Sequence, residues 1–423
     1  MLLANTSSVS RPAAVTETDP ELATARRAAS GQRDPLLVLA SSAGLLDPTA
    51  LACLADPALH TASEDLPHQP AHAQLAALAT TRAAQLFGAR YADVRPDSPA
   101  AATSVVLDAL LEPEDAVVDL RLAHGSQPAP RRLSTHRWVG HGVGADGRLD
   151  YAAAAALARE HRPAVILCGA GSYPRHVDFA RLRALADEVG ALLVADIAAG
   201  TGLVATGLAP SPVDHAHVTV ASTHQQLGGP HGGLVLCGRD ADLVLDGDVR
   251  TLAERLRRAG GCAAAAGRPV TAAKARVLGH AGGPEFRVLA ERILMAATVL
   301  AEELALLGHT LVAGGTDTQL CVLDLTGTGL TGALAERVLA EAGVVVTRCR
   351  VPADDPHDAD CGGIALSSTV LAQRGFGAAE IRQVAALVDQ ALRAVRTEDR
   401  GVLAVDGTVL AGVRAAARTL ARP

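Results

Sequence analysis

The chain has 423 residues, 49% of them hydrophobic, 2% aromatic, and a formal net charge of −7. That length allows two domains with a large Ala/Val/Leu core, and the acidic balance without a polybasic run argues against a nucleic-acid partner. No uncharged run of about 20 apolar residues supports a membrane span.

Residues 1–34 mix Ser, Thr, Pro, Arg and Glu and read as a mobile N-terminal arm with a short helix at Glu21–Ala29. From Gln74 to Phe87 apolar residues recur at helical spacing and stop at Gly88. Strand-like runs follow at Ala116–Leu120, Ala164–Cys168, Ala191–Ala195, His217–Ala221 and Gly233–Cys237. Helices fit Tyr151–Glu160 and Asp178–Val189, the second closed by Gly190. Short apolar strands alternating with amphipathic helices predict a mainly parallel sheet covered on both faces. Ligands of such sheets sit at the carboxyl ends of the strands, and Asp196 and His224 both lie just past such ends. Residues 35–283 are expected to form this large domain. A long helix at Pro284–Leu307 leads into a smaller α/β domain over 284–398, with strands at Gln319–Leu325 and Gly343–Thr347 and a helix at Ala378–Val395. Residues 399–423 read as a tail helix.

Seven scattered cysteines without a CxxC pair indicate a reduced, cytoplasmic protein rather than a disulfide framework or zinc site. The N-terminus lacks the charged and apolar regions of a signal peptide. Lys274 is the only lysine in the chain.

Several collinear segments carry a resemblance. Arg82-Ala83-Ala84-Gln85-Leu86-Phe87-Gly88 and Leu110-Leu111-Glu112-Pro113 come first. Glu160-His161-Arg162-Pro163 and Val194-Ala195-Asp196 follow. Then comes Ser222-Thr223-His224-Gln225-Gln226-Leu227-Gly228-Gly229-Pro230-His231-Gly232-Gly233. Gly314-Gly315-Thr316-Asp317 and Arg374-Gly375-Phe376 complete the set. From about Leu37 to Arg396 the chain resembles serine hydroxymethyltransferase, a pyridoxal-phosphate enzyme of the aspartate-aminotransferase fold (fold type I).

The resemblance implies roles residue by residue. In that family the residue after Thr-His is the lysine that forms the Schiff base, and here it is Gln225. An amide nitrogen cannot form an imine. Ala365 stands at the place of the arginine that grips the substrate carboxylate, His231 at that of another arginine, and Ala199 at that of a histidine. Gln127 falls near the ring-stacking histidine, Glu64–Pro70 near the acid/base glutamate, and Cys349 at a folate-contacting asparagine. The phosphate-binding Ser-Gly-Ser reads Ser98-Pro99-Ala100, which removes one amide donor and one hydroxyl. Asp196 matches the aspartate on the pyridine nitrogen, and Thr223 and His224 the residues before the lysine. Ser41 matches a substrate-contacting serine, and Gly260-Gly261 the pair that reaches the neighbouring subunit's phosphate site. Lys274 matches a helix lysine outside the chemistry. Each charged hydrogen bond lost costs about 1.5–3 kcal/mol. Pyridoxal phosphate is therefore implied by the family, with covalent binding not expected.

Blander readings compete at several positions. Asp196 also fits a strand-end carboxylate that caps the turn toward Gly200. His215-Ala216-His217 would put two rings on one face of a strand, yet no carboxylate spacing completes a metal site. Gly142-Val143-Gly144-Ala145-Asp146-Gly147 matches a dinucleotide fingerprint by pattern alone and is read as a turn. Cys168 and Cys361 lie in apolar or Gly-rich surroundings and read as inert.

Two functions are expected from this balance. One is a binding or regulatory homologue that has lost Schiff-base catalysis and forms a homodimer or a heterodimer with an intact homologue. The other is a repurposed lysine-independent enzyme whose pocket is lined by Asp196, His224, Gln225 and His231. Residual aldol or one-carbon activity is a weaker third.

Overall fold

The computed structural model describes residues 21–22, 24–25, 36–60, 70–120, 136–140, 143–169, 171–261, 267–354, 360–397 and 403–422. The expected arm over 1–34 falls outside these except at 21–22 and 24–25, which are helical. Gln127 and 61–69 also lie outside them.

After a two-residue strand, Leu37–Val38 (β1), the described residues build a seven-stranded sheet. Its strands are Tyr91–Asp93 (β2), Ala116–Asp119 (β3), Arg137–Gly140 (β4), Val165–Gly169 (β5), Leu192–Asp196 (β6), Val218–Ser222 (β7) and Gly233–Cys237 (β8). The order is β2-β8-β7-β6-β5-β3-β4. Only β8 runs against the rest, antiparallel to both β2 and β7. The ten residues 223–232 that join β7 to β8 are too few for a crossover helix, so the chain must turn back.

The apolar runs follow from this layering. Strand β5 is buried along its whole length, as are β7 and β8. Ile166 and Cys168 face one core cluster, while Val165 and Leu167 face the other. This is the period-two alternation of a sheet covered on both sides. Helix Phe179–Val189 starts where Asp178 accepts the Arg181 N–H and stops at Gly190, whose φ of 73° favours glycine. The predicted helix at Gln74 begins earlier, at Pro70, because proline is well placed in a first turn.

Helix Pro284–Leu306 leads into the small domain. There Thr310–Leu311 (β9), Leu320–Asp324 (β10), Thr347–Cys349 (β12) and Gly363–Ser367 (β13) form an antiparallel sheet in the order β12-β13-β10-β9. Strand Val344–Val345 (β11) leaves this sheet and pairs in parallel with β1. Leu37 and Leu39 are thereby buried in one apolar cluster with residues between Ala296 and Ala421. The tail forms a hairpin, Val395–Thr397 (β14) with Leu403–Val405 (β15), before helix Gly407–Leu420.

Leu37 is fully buried although it belongs to a two-residue strand. Leu37→Ala is expected to cost about 2–5 kcal/mol in urea unfolding. A change under about 0.5 kcal/mol, the range of surface substitutions, would show that β1 is not part of this core.

Candidate functional site

The carboxyl ends of β5, β6 and β7 bring the chemistry together. Asp196 closes β6 beside Gly169 of β5 and Val220 of β7. Its Oδ1 accepts the Ala198 N–H at 2.9 Å, so the carboxylate caps the turn that follows. Next to it, burial and then the carboxylates of Asp196 and Asp119 push the Cys168 thiol up, so this cysteine stays protonated.

The loop from β7 to β8 is tied by Thr223. Its hydroxyl donates to the carbonyls of Pro230 at 2.8 Å and Gly232 at 3.3 Å. That side chain is fully buried and spent inside the loop. The rings of His224 and His231 lie 4.5 Å apart, tilted by 39°. His231 is exposed, with Nδ1 3.3 Å from the carbonyl oxygen of Asp97. His224 Nδ1 is buried with no partner among the described residues. Burial, and then His231, push the His224 imidazole down to about 4, so it is neutral near pH 7.

Gln225 has a φ of 56°, a left-handed conformation that is costly for a side chain with a Cβ. The surroundings hold it there. Its carbonyl accepts the Gln373 Nε2 at 3.0 Å, and Gln373 Oε1 accepts the Leu45 N–H at 2.7 Å. Gly44 presses so closely that a Cβ there would come within 2.3 Å of the Gln225 Cα. The Gln225 Oε1 is buried without a partner among the described residues. Sequence reasoning missed Gln226, whose Oε1 accepts the N–H groups of Gly202 at 2.8 Å and Leu203 at 3.1 Å. It thus fastens this loop to the short helix Thr201–Ala205 after the Asp196 turn.

Other expected positions are engaged elsewhere. Ser98 caps helix Pro99–Leu110 by accepting the Ala101 N–H at 3.1 Å, and its hydroxyl donates to Asp97 Oδ1 at 3.0 Å. Ser41 turns to the small domain, where its N–H and hydroxyl both donate to Thr347 Oγ1 at 3.0 and 3.3 Å. Gly260 and Gly261 end helix Leu252–Gly261. A Cβ on Gly260 would lie 2.6 Å from Asp93 Oδ2 and 2.7 Å from Arg95 Nη2, so glycine lets this helix pack directly against the Asp93–Arg95 ion pair. Ala365 is buried with Val312, Leu320, Val322, Cys349 and Val351 in an apolar cluster. His217, of the His-Ala-His triplet, is a structural acceptor: its Nδ1 takes the Leu193 N–H at 2.9 Å. Gly144 and Gly147 close a turn through a 2.9 Å backbone bond.

Lys274 is fully buried in helix Arg268–Ala281. Its Nζ donates to the carbonyls of Val94 at 2.6 Å, Pro96 at 2.6 Å and Gly233 at 3.2 Å. Burial pushes the amine down to about 8, with Asp93 and Asp97 opposing, so it remains an ammonium at pH 7. An ammonium has three hydrogens, and three carbonyls take them.

A mainly parallel α/β large domain, a smaller α/β domain and a polar cluster at the strand ends define a protein of the type I pyridoxal-phosphate fold. A family model for serine hydroxymethyltransferase matches residues 72–388. Serine hydroxymethyltransferase of Rhizorhabdus wittichii is 40% identical over 323 residues, which cover 74% of this chain and 72% of that protein. The enzyme of the same name from Rhodospirillum centenum is 40% identical over 344 residues, 80% of this chain and 78% of that one. The chain belongs to the serine hydroxymethyltransferase family.

This family depends on pyridoxal phosphate, whose tether is an amine and whose phosphate needs free donors. Gln225 carries an amide, and the one lysine amine of the chain is locked on three carbonyls. Beside Ser98 stand a carboxylate, Asp97, and a proline without an N–H, Pro99. These residues do not fit a covalently held pyridoxal phosphate.

Two outcomes are expected. Lys274→Met removes the ammonium shared by three buried carbonyls, of which Pro96 keeps the Gly233 N–H, and should cost about 3–5 kcal/mol in urea unfolding; a loss under about 1 kcal/mol would mean the ammonium is not holding these segments. His217 and His224 are both pushed down to about 4. The unfolded chain takes up protons near 6.5, whereas these folded rings do not until about 4. Their contribution to stability is therefore full above 6.5 and is lost as pH falls toward about 4. Histidine chemical-shift titration checks this, and midpoints near 6.5 for both rings would contradict it.

Proposed function

We propose that this chain is a serine hydroxymethyltransferase homologue that has lost Schiff-base catalysis and acts as a binding or regulatory subunit. The carrying observation is the amine inventory: an amide at Gln225 and a single lysine whose ammonium is consumed by the carbonyls of Val94, Pro96 and Gly233. The neutral His224, the capped Ser98 and the apolar surroundings of Ala365 support the same reading. Gln225 stands in this proposal for the family's imine lysine, and Ala365 for its carboxylate-binding arginine. The natural partner is an intact family member. In such a pair Gly260-Gly261 would complete the partner's phosphate site, as the family arrangement implies.

A second reading keeps enzymatic activity. The strained Gln225 backbone and the unpartnered buried atoms Gln225 Oε1 and His224 Nδ1 are what a ligand-binding site leaves behind. The 40% identity to proteins named serine hydroxymethyltransferase equally supports residual turnover. A serine-to-glycine assay on the pure chain separates these readings from the first.

The decisive measurement is a spectrum with added pyridoxal phosphate, followed by borohydride reduction and peptide mapping. The wild type should acquire no reduced adduct on Lys274, and any label should sit on the α-amino group. Gln225→Lys should acquire an adduct at residue 225. A reduced adduct on Lys274 in the wild type, or serine turnover by it, overturns the proposal. Native mass spectrometry after co-expression with an intact family member should show the mixed dimer; self-pairing alone would remove the regulatory role.

A further inference from the structure

Between β1 and the short helix Pro48–Leu54 the chain crosses the loop that joins β7 to β8. Both ends of the crossing are anchored. Upstream, Ser41 is tied to Thr347, and the Leu39 carbonyl accepts the Ser367 N–H at 2.7 Å. Downstream, Asp47 caps the helix by accepting the Thr49 and Ala50 N–H groups at 2.9 and 3.0 Å, and Ala50 is buried against Ala273 and Val277. The middle is different. Ser42, Gly44, Leu45 and Leu46 are exposed on their outer side. Their inner side rests on the loop: the Gly44 backbone lies against that of Gln225, and the Asp47 N–H donates to the Gly228 carbonyl at 2.7 Å. Residues 42–47 are thus a strap, with solvent on one side and Gln225 on the other.

One side chain fastens strap and loop together. Gln373 closes the short helix Thr369–Gln373. Its Oε1 accepts the Leu45 N–H at 2.7 Å, and its Nε2 donates to the Gln225 carbonyl at 3.0 Å. The amide has a single orientation here, because a backbone N–H only donates and a carbonyl only accepts. The Gln225 carbonyl also accepts the Gly228 N–H at 3.2 Å. These bonds hold Gln225 at a φ of 56°, which its Cβ disfavours, so opening the loop releases strain. Exposed backbone held by few bonds is where local opening begins. In the same loop Gln225 Oε1 and His224 Nδ1 are buried without partners among the described residues. No group from solution reaches these atoms while the loop stays closed.

We propose that Gln373 latches residues 42–47 over the β7–β8 loop and that, with this loop taken as the chain's binding place, unlatching is what lets a small molecule reach His224 and Gln225. The latch and the upstream anchor move together. Leu39, just before Ser41, and Leu371, just before Gln373, are buried in one apolar cluster. A shift of that cluster relative to the strand ends pulls on Leu45 and on the Gln225 carbonyl at once.

The test uses the full-length protein without added ligand. Amide hydrogen exchange reads the strap, and histidine labelling by diethyl pyrocarbonate reads access to the loop. The Asp47 and Gly228 amides, neither of them bonded to Gln373, should exchange through one shared opening in the wild type. Gln373→Ala removes two hydrogen bonds and should speed both amides, and the labelling of His224, about tenfold, while exposed His215 is labelled as in the wild type. Gly44→Ala places a Cβ 2.3 Å from the Gln225 Cα and should act in the same direction. Independent opening of Asp47 and Gly228 in the wild type overturns the latch, and that comparison stands even if both variants fail to fold. So does a folded Gln373→Ala protein in which neither Gly228 exchange nor His224 labelling is faster. Because no ligand is added, such a failure removes the latch and leaves the binding-place reading untouched. Absence of any ligand for the loop would remove that reading and leave these rates as stated.

Discussion

Three backbone carbonyls converge on one ammonium, and the geometry of the strand-end region depends on that contact. Val94 and Pro96 precede helix Pro99–Leu110, while Gly233 opens β8. Lys274 reaches both from a third element and fixes Asp97 and Ser98 against the loop that carries His224 and His231. A buried charge is tolerated only when its hydrogens are all taken. Here they are, so the amine is structural. The same saturation leaves it nothing with which to attack an aldehyde.

The loop between β7 and β8 shows a related division. Its backbone is over-determined: Thr223 ties its two ends, Gln226 fastens it to helix Thr201–Ala205, and Gly44 with Gln373 holds Gln225 in a left-handed conformation. The side chain so carefully presented is an amide. A strained backbone and unpaired polar atoms mark a place shaped for a ligand. A neutral imidazole and an amide there can accept and donate hydrogen bonds, but neither can hold a cofactor covalently.

How far these features could be read in the chain depends on their range. Runs such as Val165–Gly169 and Gly233–Cys237 are continuous apolar stretches because both faces of the strand are covered, and they were legible. Strand β2 has three residues and β4 is a partly exposed edge, so neither carries a pattern long enough to read. Helix Pro99–Leu110 announces itself by Ser98 before a proline, a start signal that a phosphate-loop reading of the same residues obscured. Gln226 offers no local signal, since its partners are the N–H groups of Gly202 and Leu203. Among the expected site residues, Asp196, His224, Gln225 and His231 do gather near the strand ends. Ser41 instead turns to Thr347, and Gly260 packs against the Asp93–Arg95 ion pair.

By itself the sequence determined the family, the type I fold and the chemical identity of each functional group, because these follow from collinear motifs and from which atoms a side chain carries. It also determined that one lysine exists and that residue 225 is not it. The tertiary structure decided where that lysine spends its hydrogens and which way Ser41 turns. Those outcomes rest on partners up to 306 residues away along the chain, as in the bond from Ser41 to Thr347, and only packing brings such groups within hydrogen-bonding distance.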